Sequence, residues 1–383
     1  MRIALVDPSL FTLPYDAALA AGLGAAGHEV RLYGRKAGPD DNQPDGVPLI
    51  ENFYRLTQRP PLSSLPPKAR LGLKGADHLV SMLGLLRRLK REPADVIHFQ
   101  WLPLPVLDRL FLAALRRIAP LVLTVHDTNP FNGNPAAPLQ RMGAEAAVTG
   151  FDRLIVHTEQ GRLRLIEQGA DAARISVLPH GLLETPTPSI APDPMSAELT
   201  FLLFGKIKPY KGADLLIEAF ARLAPSLRQR ARLFIVGKPY MDIAPLRALA
   251  EARGVAPQTT IETRFVADRE LASLFTPGTI AAFPYREIEA SGVLSLAIAH
   301  GRPVLASRIG GFAETVQDGV HGLLVPPGDE AALASAMTRL LEDRAFAARC
   351  ARAVASLAQA VPDWTEIARR TAAIYGAAGA RDP

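Results

Sequence analysis

Short apolar or β-branched runs alternate with helix-length segments along the whole chain, and no other feature restricts its fold as strongly. In the first half the runs are "RIALVD" (2–7), "EVRLYG" (29–34), "DVIHFQ" (95–100), "PLVLTVHD" (120–127), "RLIVHT" (153–158) and "ISVLPHG" (175–181). The second half repeats the scheme with "LTFLLFGK" (199–206), "ARLFIVGK" (231–238), "TTIETRFV" (259–266), "TIAAFPY" (279–285), "RPVLASR" and "HGLLVPPGD". Apolar strands separated by helices argue for parallel sheets buried on both faces. Between the two series lies "LETPTPSIAPDPMSAE" (183–198), which Pro186, Pro188, Pro192 and Pro194 stiffen into an extended connection. The expected architecture is α/β, with two consecutive doubly wound, Rossmann-like domains: 1–182, the linker 183–198, and 199–362. The 383 residues are enough for two separate cores. Ligands of such sheets bind outside the carboxyl ends of the strands, so the loops after strands are where chemistry is expected.

Composition excludes several classes. The single Cys350 rules out an intrachain disulfide framework and, in the Ala-rich "AFAARCARAVAS", reads as a packed thiol in a reducing compartment. No window of about 18 residues is free of charge, so no membrane-spanning helix is expected, and the N-terminal run is too short for a secretory signal. The net charge of +5 is spread over both halves without aromatic-basic interleaving, which argues against a nucleic-acid partner. One segment, "HLVSMLGLLRRLKRE" (78–92), gathers Arg87, Arg88, Lys90 and Arg91 at a helix end. Cations are favoured there by the helix dipole; the same cluster would also suit anionic lipid headgroups.

Three loops of the second half share one chemistry. In "FLLFGKIKPYKGADLL", Gly205 ends a strand and is followed by Lys206, Lys211 and Gly212. Two ammonium groups after a buried strand suit a diphosphate, and a solvated basic turn is the plain alternative. In "EIEASGVLSLAIAHG", Ser291 is a good N-cap and Gly292 allows close approach to the backbone. The N–H groups of Gly292, Val293 and Leu294 would then meet an anion at the start of a helix apolar on every side, hence buried. In "ASRIGGFAETV", Gly310 and Gly311 permit another close approach, and Glu314 is an acceptor without a packing role.

The second half resembles the donor domain of the family 4 retaining glycosyltransferases, which use nucleotide sugars and have the two-domain GT-B fold with the domains facing a cleft. Gly205, Lys206, Lys211 and Gly212 match the family's G-R/K-x(4)-K-G. Gly301, Pro303, Val304, Ala306, Ser307, Gly310, Gly311 and Glu314 match G-x-P-V-x-A-S-x-x-G-G-x-x-E, and "DGVHGLLVPPGD" (318–329) resembles a further family motif. "LVLTVHD" resembles the strand ending in the family's active-site histidine, here His126. "WTEIARRTAAIY" resembles the C-terminal helix (363–378) that crosses back to the first domain. The family's Glu-x(7)-Glu is altered. Glu289 fits the first, sugar-facing acid after a shift of one residue, but Leu296 or Ala297 stands where the ribose-binding acid belongs.

The resemblance implies a retaining transfer from a nucleotide-diphosphate sugar to a hydroxyl of a glycan or lipid-linked acceptor. That is expected in the cytoplasm, at the inner face of the membrane, in envelope or exopolysaccharide synthesis. His126, Lys206, Lys211 and Glu289 would be catalytic, and Gly205, Ser291, Gly292, Val293, Gly310, Gly311 and Glu314 would bind the donor. No cofactor is expected. Asp-x-Asp is absent and no His/Cys cluster is seen, so no metal is expected either. His98, His157 and His180 also end strands and read as structural; Asp16 and its loop read as facing the acceptor. A non-catalytic nucleotide-sugar-binding module and a GT-B-like nucleotide-sugar epimerase stay open beside the transferase.

Overall fold

The computed structural model describes residues 1–38, 41, 46–60, 62, 67–128, 143–183, 198–288 and 291–379, the side chains of 67–71, 268 and 269 excepted. The proline-rich connection therefore lies outside the described residues except at its two ends. The chain separates into two compact units, Met1–Gly181 with Pro362–Pro383, and Leu182–Val361.

The first unit is a seven-stranded, all-parallel sheet. Its strands are β1 (Arg2–Val6), β2 (Glu29–Arg35), β3 (Leu49–Phe53), β4 (Val96–Phe99), β5 (Leu121–Thr124), β6 (Arg153–Val156) and β7 (Ile175–Val177). Their order is β3-β2-β1-β4-β5-β6-β7. The crossovers carry α1 (Leu13–Ala25), α2 (Pro67–Arg91), α3 (Pro105–Arg116), α4 (Ala144–Val148) and α5 (Glu159–Glu167). β4 and β5 are buried at every position, as strands covered by helices on both faces must be. β3 escapes the sequence pattern for the converse reason. It is an edge strand, "LIENF", in which Phe53 alone is fully buried and Glu51 faces out. α2 and α3 are tied by a buried pair, His78 Nε2 to Asp108 Oδ1 at 2.6 Å, and Tyr54 Oη meets His78 Nδ1 at 3.1 Å.

The second unit is a six-stranded parallel sheet: β8 (Leu199–Phe204), β9 (Ala231–Val236), β10 (Thr259–Glu262), β11 (Thr279–Phe283), β12 (Val304–Ser307) and β13 (Gly322–Val325). The order is β10-β9-β8-β11-β12-β13. Its helices are α6 (Ala213–Ala221), α7 (Pro225–Arg228), α8 (Ala244–Ala252), α9 (Asp268–Leu274), α10 (Gly292–Ala299), α11 (Gly310–Thr315), α12 (Glu330–Glu342) and α13 (Arg344–Ala360). Cys350, on α13, is fully buried, and burial pushes its thiol up to about 11, so it is a packed group. In both sheets the winding reverses beside the first strand, at β1/β4 and at β8/β11. These are the switch points at which doubly wound sheets bind ligands.

The last helix, α14 (Trp364–Gly379), belongs to the first unit and packs on α1. Ile367, Ala368 and Tyr375 are buried there, and Tyr375 Oη lies 2.7 Å from His98 Nδ1. His98 Nε2 reaches Thr124 Oγ1 at 2.8 Å, so His98 is a satisfied core group. The helices touch closely at Gly22: a Cβ built there would lie 2.4 Å from the Trp364 carbonyl oxygen.

Gly22→Ala is therefore expected to destabilise the protein by about 1–3 kcal/mol, because backbone cannot yield to the added methyl as a side chain would. Gly24→Ala, two residues on, meets nothing within 4 Å and should stabilise by up to about 1 kcal/mol through helix propensity. Urea denaturation of the two variants checks the opposite signs.

Candidate functional site

At the carboxyl end of β8 the chain turns at Gly205, with φ of 103°. A Cβ there would sit 3.2 Å from Val293 Cγ2 and 3.3 Å from Lys211 Nζ. The missing side chain thus lets the strand end, the first turn of α10 and the Lys211 amine meet. Lys211 closes a 3₁₀ turn (Pro209–Lys211) and Gly212, with φ of 67°, starts α6, so the lysine does not itself open the helix. A Cβ on Gly212 would fall 2.1 Å from the Pro284 carbonyl oxygen, which fixes this turn against the end of β11.

Lys211 is 6% exposed and no described carboxylate pairs with it. Its ammonium lies 5.1 Å from the centre of the Tyr285 ring. Burial, then repulsion from Lys206 and Lys208, pushes its pKa down to about 7. Lys206 is exposed; it and Lys208 lie 6.0 and 5.7 Å from the Tyr240 ring centre. Tyr285 is fully buried, and its hydroxyl has no hydrogen-bond partner among the described residues. Phe312, on α11 just past Gly310 and Gly311, packs on the Tyr285 ring at 5.3 Å, whereas Glu314 is exposed further along that helix. Arg286 is a different kind of cation. Its guanidinium is taken by Asp214 at 2.7 Å and by the Pro209 carbonyl at 3.0 Å, which holds the lysine turn closed.

Ser291 is the N-cap of α10, its hydroxyl 3.4 Å and its carbonyl 3.0 Å from the Leu294 N–H. That occupies one of the three N–H groups expected to face an anion, leaving those of Gly292 and Val293. Leu296 and Ala297 are buried in the apolar cluster around α10, so packing fills the positions where an acid was sought. Glu287 is exposed, and Glu289 lies outside the described residues. Lysines 206, 208 and 211, two helix-start N–H groups and a buried hydroxyl lie past the ends of β8 and β11, a set of cations and donors that suits an anion. Lys208 and Tyr285 were not found from sequence, since neither falls on a glycine-lysine spacing.

The first unit holds a second group. His126, His157 and His180 follow β5, β6 and β7, and the ring of Tyr15 touches all three, at centroid distances of 4.8, 5.1 and 5.3 Å. His157 and His180 are thus not isolated structural histidines but neighbours of His126. His157 Nδ1 is 3.1 Å from the Leu178 carbonyl, which can only accept, so Nδ1 carries the hydrogen. Burial drives the His157 pKa down to about 3, so the ring is neutral and its Nε2 accepts. His126 Nδ1, 3.0 Å away, must then donate. Burial and the neighbouring histidines hold His126 neutral as well, which leaves its Nε2 as a bare acceptor beside the Gln100 amide at 3.2 Å. An interchange of the amide's two ends puts its NH₂ there. His126 is therefore neutral, and its one acceptor nitrogen is met by Gln100, so the ring supplies no charge.

Asp16 does not face outward. It is fully buried, with Thr12 Oγ1 3.2 Å from each of its oxygens, beside the equally buried Asp7. Asp7 accepts from the Thr12 N–H at 2.9 Å and the Ser9 N–H at 3.1 Å. Burial, followed by the Asp7 charge, raises the Asp16 pKa well above 3.8, which favours a proton held between the two carboxylates. Among the described residues, no group of three His, Cys, Asp or Glu side chains is arranged to hold a metal ion.

Residues 198–343 match the model of the family described as glycosyl transferases group 1, and residues 14–181 that of the glycosyl transferase 4-like domain. The D-inositol 3-phosphate glycosyltransferase of Acidothermus cellulolyticus is 32% identical over 295 residues, which are 69% of this chain and 64% of that protein. The chain thus spans less than two thirds of that relative's length. The protein of the same name from Kribbella flavida is 31% identical over 317 residues, 74% of this chain and 72% of its own. The crystal structure of Anabaena HepE in complex with UDP and glucose superposes with a TM-score of 0.75 at 20% identity. It covers 98% of this chain and 100% of that one.

Two outcomes follow from these geometries. Binding of sulfate, whose own charge is constant above pH 3, should weaken as pH rises through about 7, by up to about tenfold per unit, because Lys211 loses its proton. Titration calorimetry at pH 6 and 8 measures this, and Lys211→Ala should lack the pH-dependent part. In the first unit, ¹⁵N NMR should find His126 neutral and protonated at Nδ1 between pH 5 and 8. His157→Phe, which removes the acceptor, should give a mixture of tautomers.

Proposed function

The chain belongs to the group 1 family of glycosyl transferases, and on that premise we propose a retaining, metal-independent glycosyltransferase. It would move a sugar from a nucleoside diphosphate sugar to a hydroxyl of a glycan or lipid-linked glycan. The observation that carries the reading is Lys211, a buried ammonium without a described acid partner, beside the start of α10. In such a transfer, negative charge grows on the departing diphosphate while the acceptor hydroxyl attacks from the same face. Groups already fixed where that charge develops lower the barrier without reorganising. Lys211 and the Gly292 and Val293 N–H groups would meet the diphosphate, with Lys206 and Lys208 at its solvent side. Donor binding would return a full charge to Lys211. His126 Nε2 would exchange its Gln100 partner for a hydroxyl of the transferring sugar. Uridine diphosphate sugars are the first donors to test, since the Anabaena protein was crystallised with UDP and with UDP-glucose.

α2 supports a membrane-bound acceptor. Leu73, Ala76, Val80, Leu83, Arg87 and Arg91 follow three- and four-residue steps along its exposed side, and Val80 is 54% exposed. An apolar stripe that ends in cations on the solvent side of a helix suits an anionic lipid surface.

Nucleotide release from a panel of UDP-, GDP- and dTDP-sugars, with and without a lipid-linked acceptor, tests the reading. Acceptor-dependent release is expected. Isomerisation without an acceptor would instead make the protein an epimerase, and donor binding without turnover a binding module. Lys211→Ala should lower kcat by about 10²–10³ with an unchanged circular dichroism spectrum; full activity in that variant sinks the assignment. Sedimentation with anionic vesicles that is unaffected by Arg87→Glu with Arg88→Glu removes the membrane reading.

A further inference from the structure

The two ends of α10 are unlike. Its first turn meets Lys211, whereas its last residues form one wall of a separate open cavity of about 540 Å³, bordered by α9, α10 and α13. A helix of eight residues puts the two places about 12 Å apart. Among the described residues no acidic side chain lines the cavity, and two arginines do, Arg302 and Arg352.

Arg302 is 8% exposed. Its Nε donates to the His300 carbonyl at 2.6 Å and its Nη1 to the Thr276 carbonyl at 3.0 Å. Nη2 has no partner among the described residues, and no described carboxylate pairs with the guanidinium. A buried cation that meets only neutral carbonyls is costly, and arginine's fixed fork suits an oxyanion. The carboxyl end of α10 favours a cation here, but it offers partial charge and no carboxylate. The Leu296, Ala297 and Ile298 carbonyls already accept from the N–H groups of His300, Arg302 and Gly301, and Arg302 itself covers the His300 carbonyl. Arg352 is exposed at the mouth, on α13. Inside, the rings of Phe275 and His300 stack in parallel, with centroids 4.9 Å apart and planes 6° apart, and form a flat apolar wall.

We propose that this cavity is a second anion site, which binds a small phosphorylated metabolite. The phosphate sits on Arg302 with Arg352 closing over it, and the body of the ligand lies along the Phe275 and His300 wall. The site is separate from the Lys211 site and does not depend on that assignment.

Titration calorimetry of full-length Lys211→Ala protein with inorganic phosphate tests it, since this variant lacks the lysine of the other site. One saturable binding event is expected. Ser356→Glu places a carboxylate at the exposed rim and should weaken that binding at least tenfold; Arg352→Ala should weaken it severalfold. Both positions are exposed, so the thermal midpoint should hold. Arg302→Leu is a poorer test because Arg302 also bridges two carbonyls. Absence of phosphate binding to Lys211→Ala protein, or binding that both rim variants leave unchanged, overturns the proposal.

Discussion

The reversal of winding between β8 and β11 is the constraint on which the second unit depends. Crossovers between parallel strands are right-handed, so chains leaving two adjacent strands in opposite directions must part above the sheet edge. The gap so formed cannot be filled by either connection alone. Here it is filled from both sides, by the Pro209–Lys211 turn after β8 and by the first turn of α10 after β11. Gly205 and Gly212 are the points at which backbone replaces side chain so that the two can approach. The consequence is electrostatic. The lysine amine is drawn out of water into a place where its neighbours are cations, a tyrosine ring and helix N–H groups, so that it keeps its proton only in part near pH 7.

The histidine group of the first unit works with the opposite economy. No charge is stored there. The Leu178 carbonyl sets the hydrogen on His157, His157 sets that on His126, and each ring stays neutral because it is buried. One group concentrates positive charge, and the other carries none.

Much of this was legible in the chain. Alternating apolar runs gave both sheets, since strands covered on both faces have no polar side to hide; β3 was lost because an edge strand with Glu51 facing water carries no such run. Gly205, Lys206, Lys211 and Ser291 could be found because a sharp turn and a helix cap leave local signatures. The gathering of His126, His157 and His180 left none of that kind. It arises because β5, β6 and β7 are parallel neighbours, so residues just past their ends share one rim. The clue was a histidine after three successive strands, visible only if the strand order is already known. Asp16 misled for a related reason: an acid in the first turn of a helix ordinarily faces water, whereas here it completes the hydrogen bonding around Asp7.

α14 gives the first unit an unusual dependence on time. As the chain is made from its N-terminus, β1 to β7 emerge early, yet the helix that covers α1 and supplies the partner of His98 is encoded after the whole of Leu182–Val361. The second unit is continuous in sequence and can close its core as soon as it is complete. The first must wait with the seat of Ile367, Ala368 and Tyr375 open. Of the two units, the one begun first is thus the one finished later, and in that interval a stretch of apolar surface on α1 must be kept from other chains.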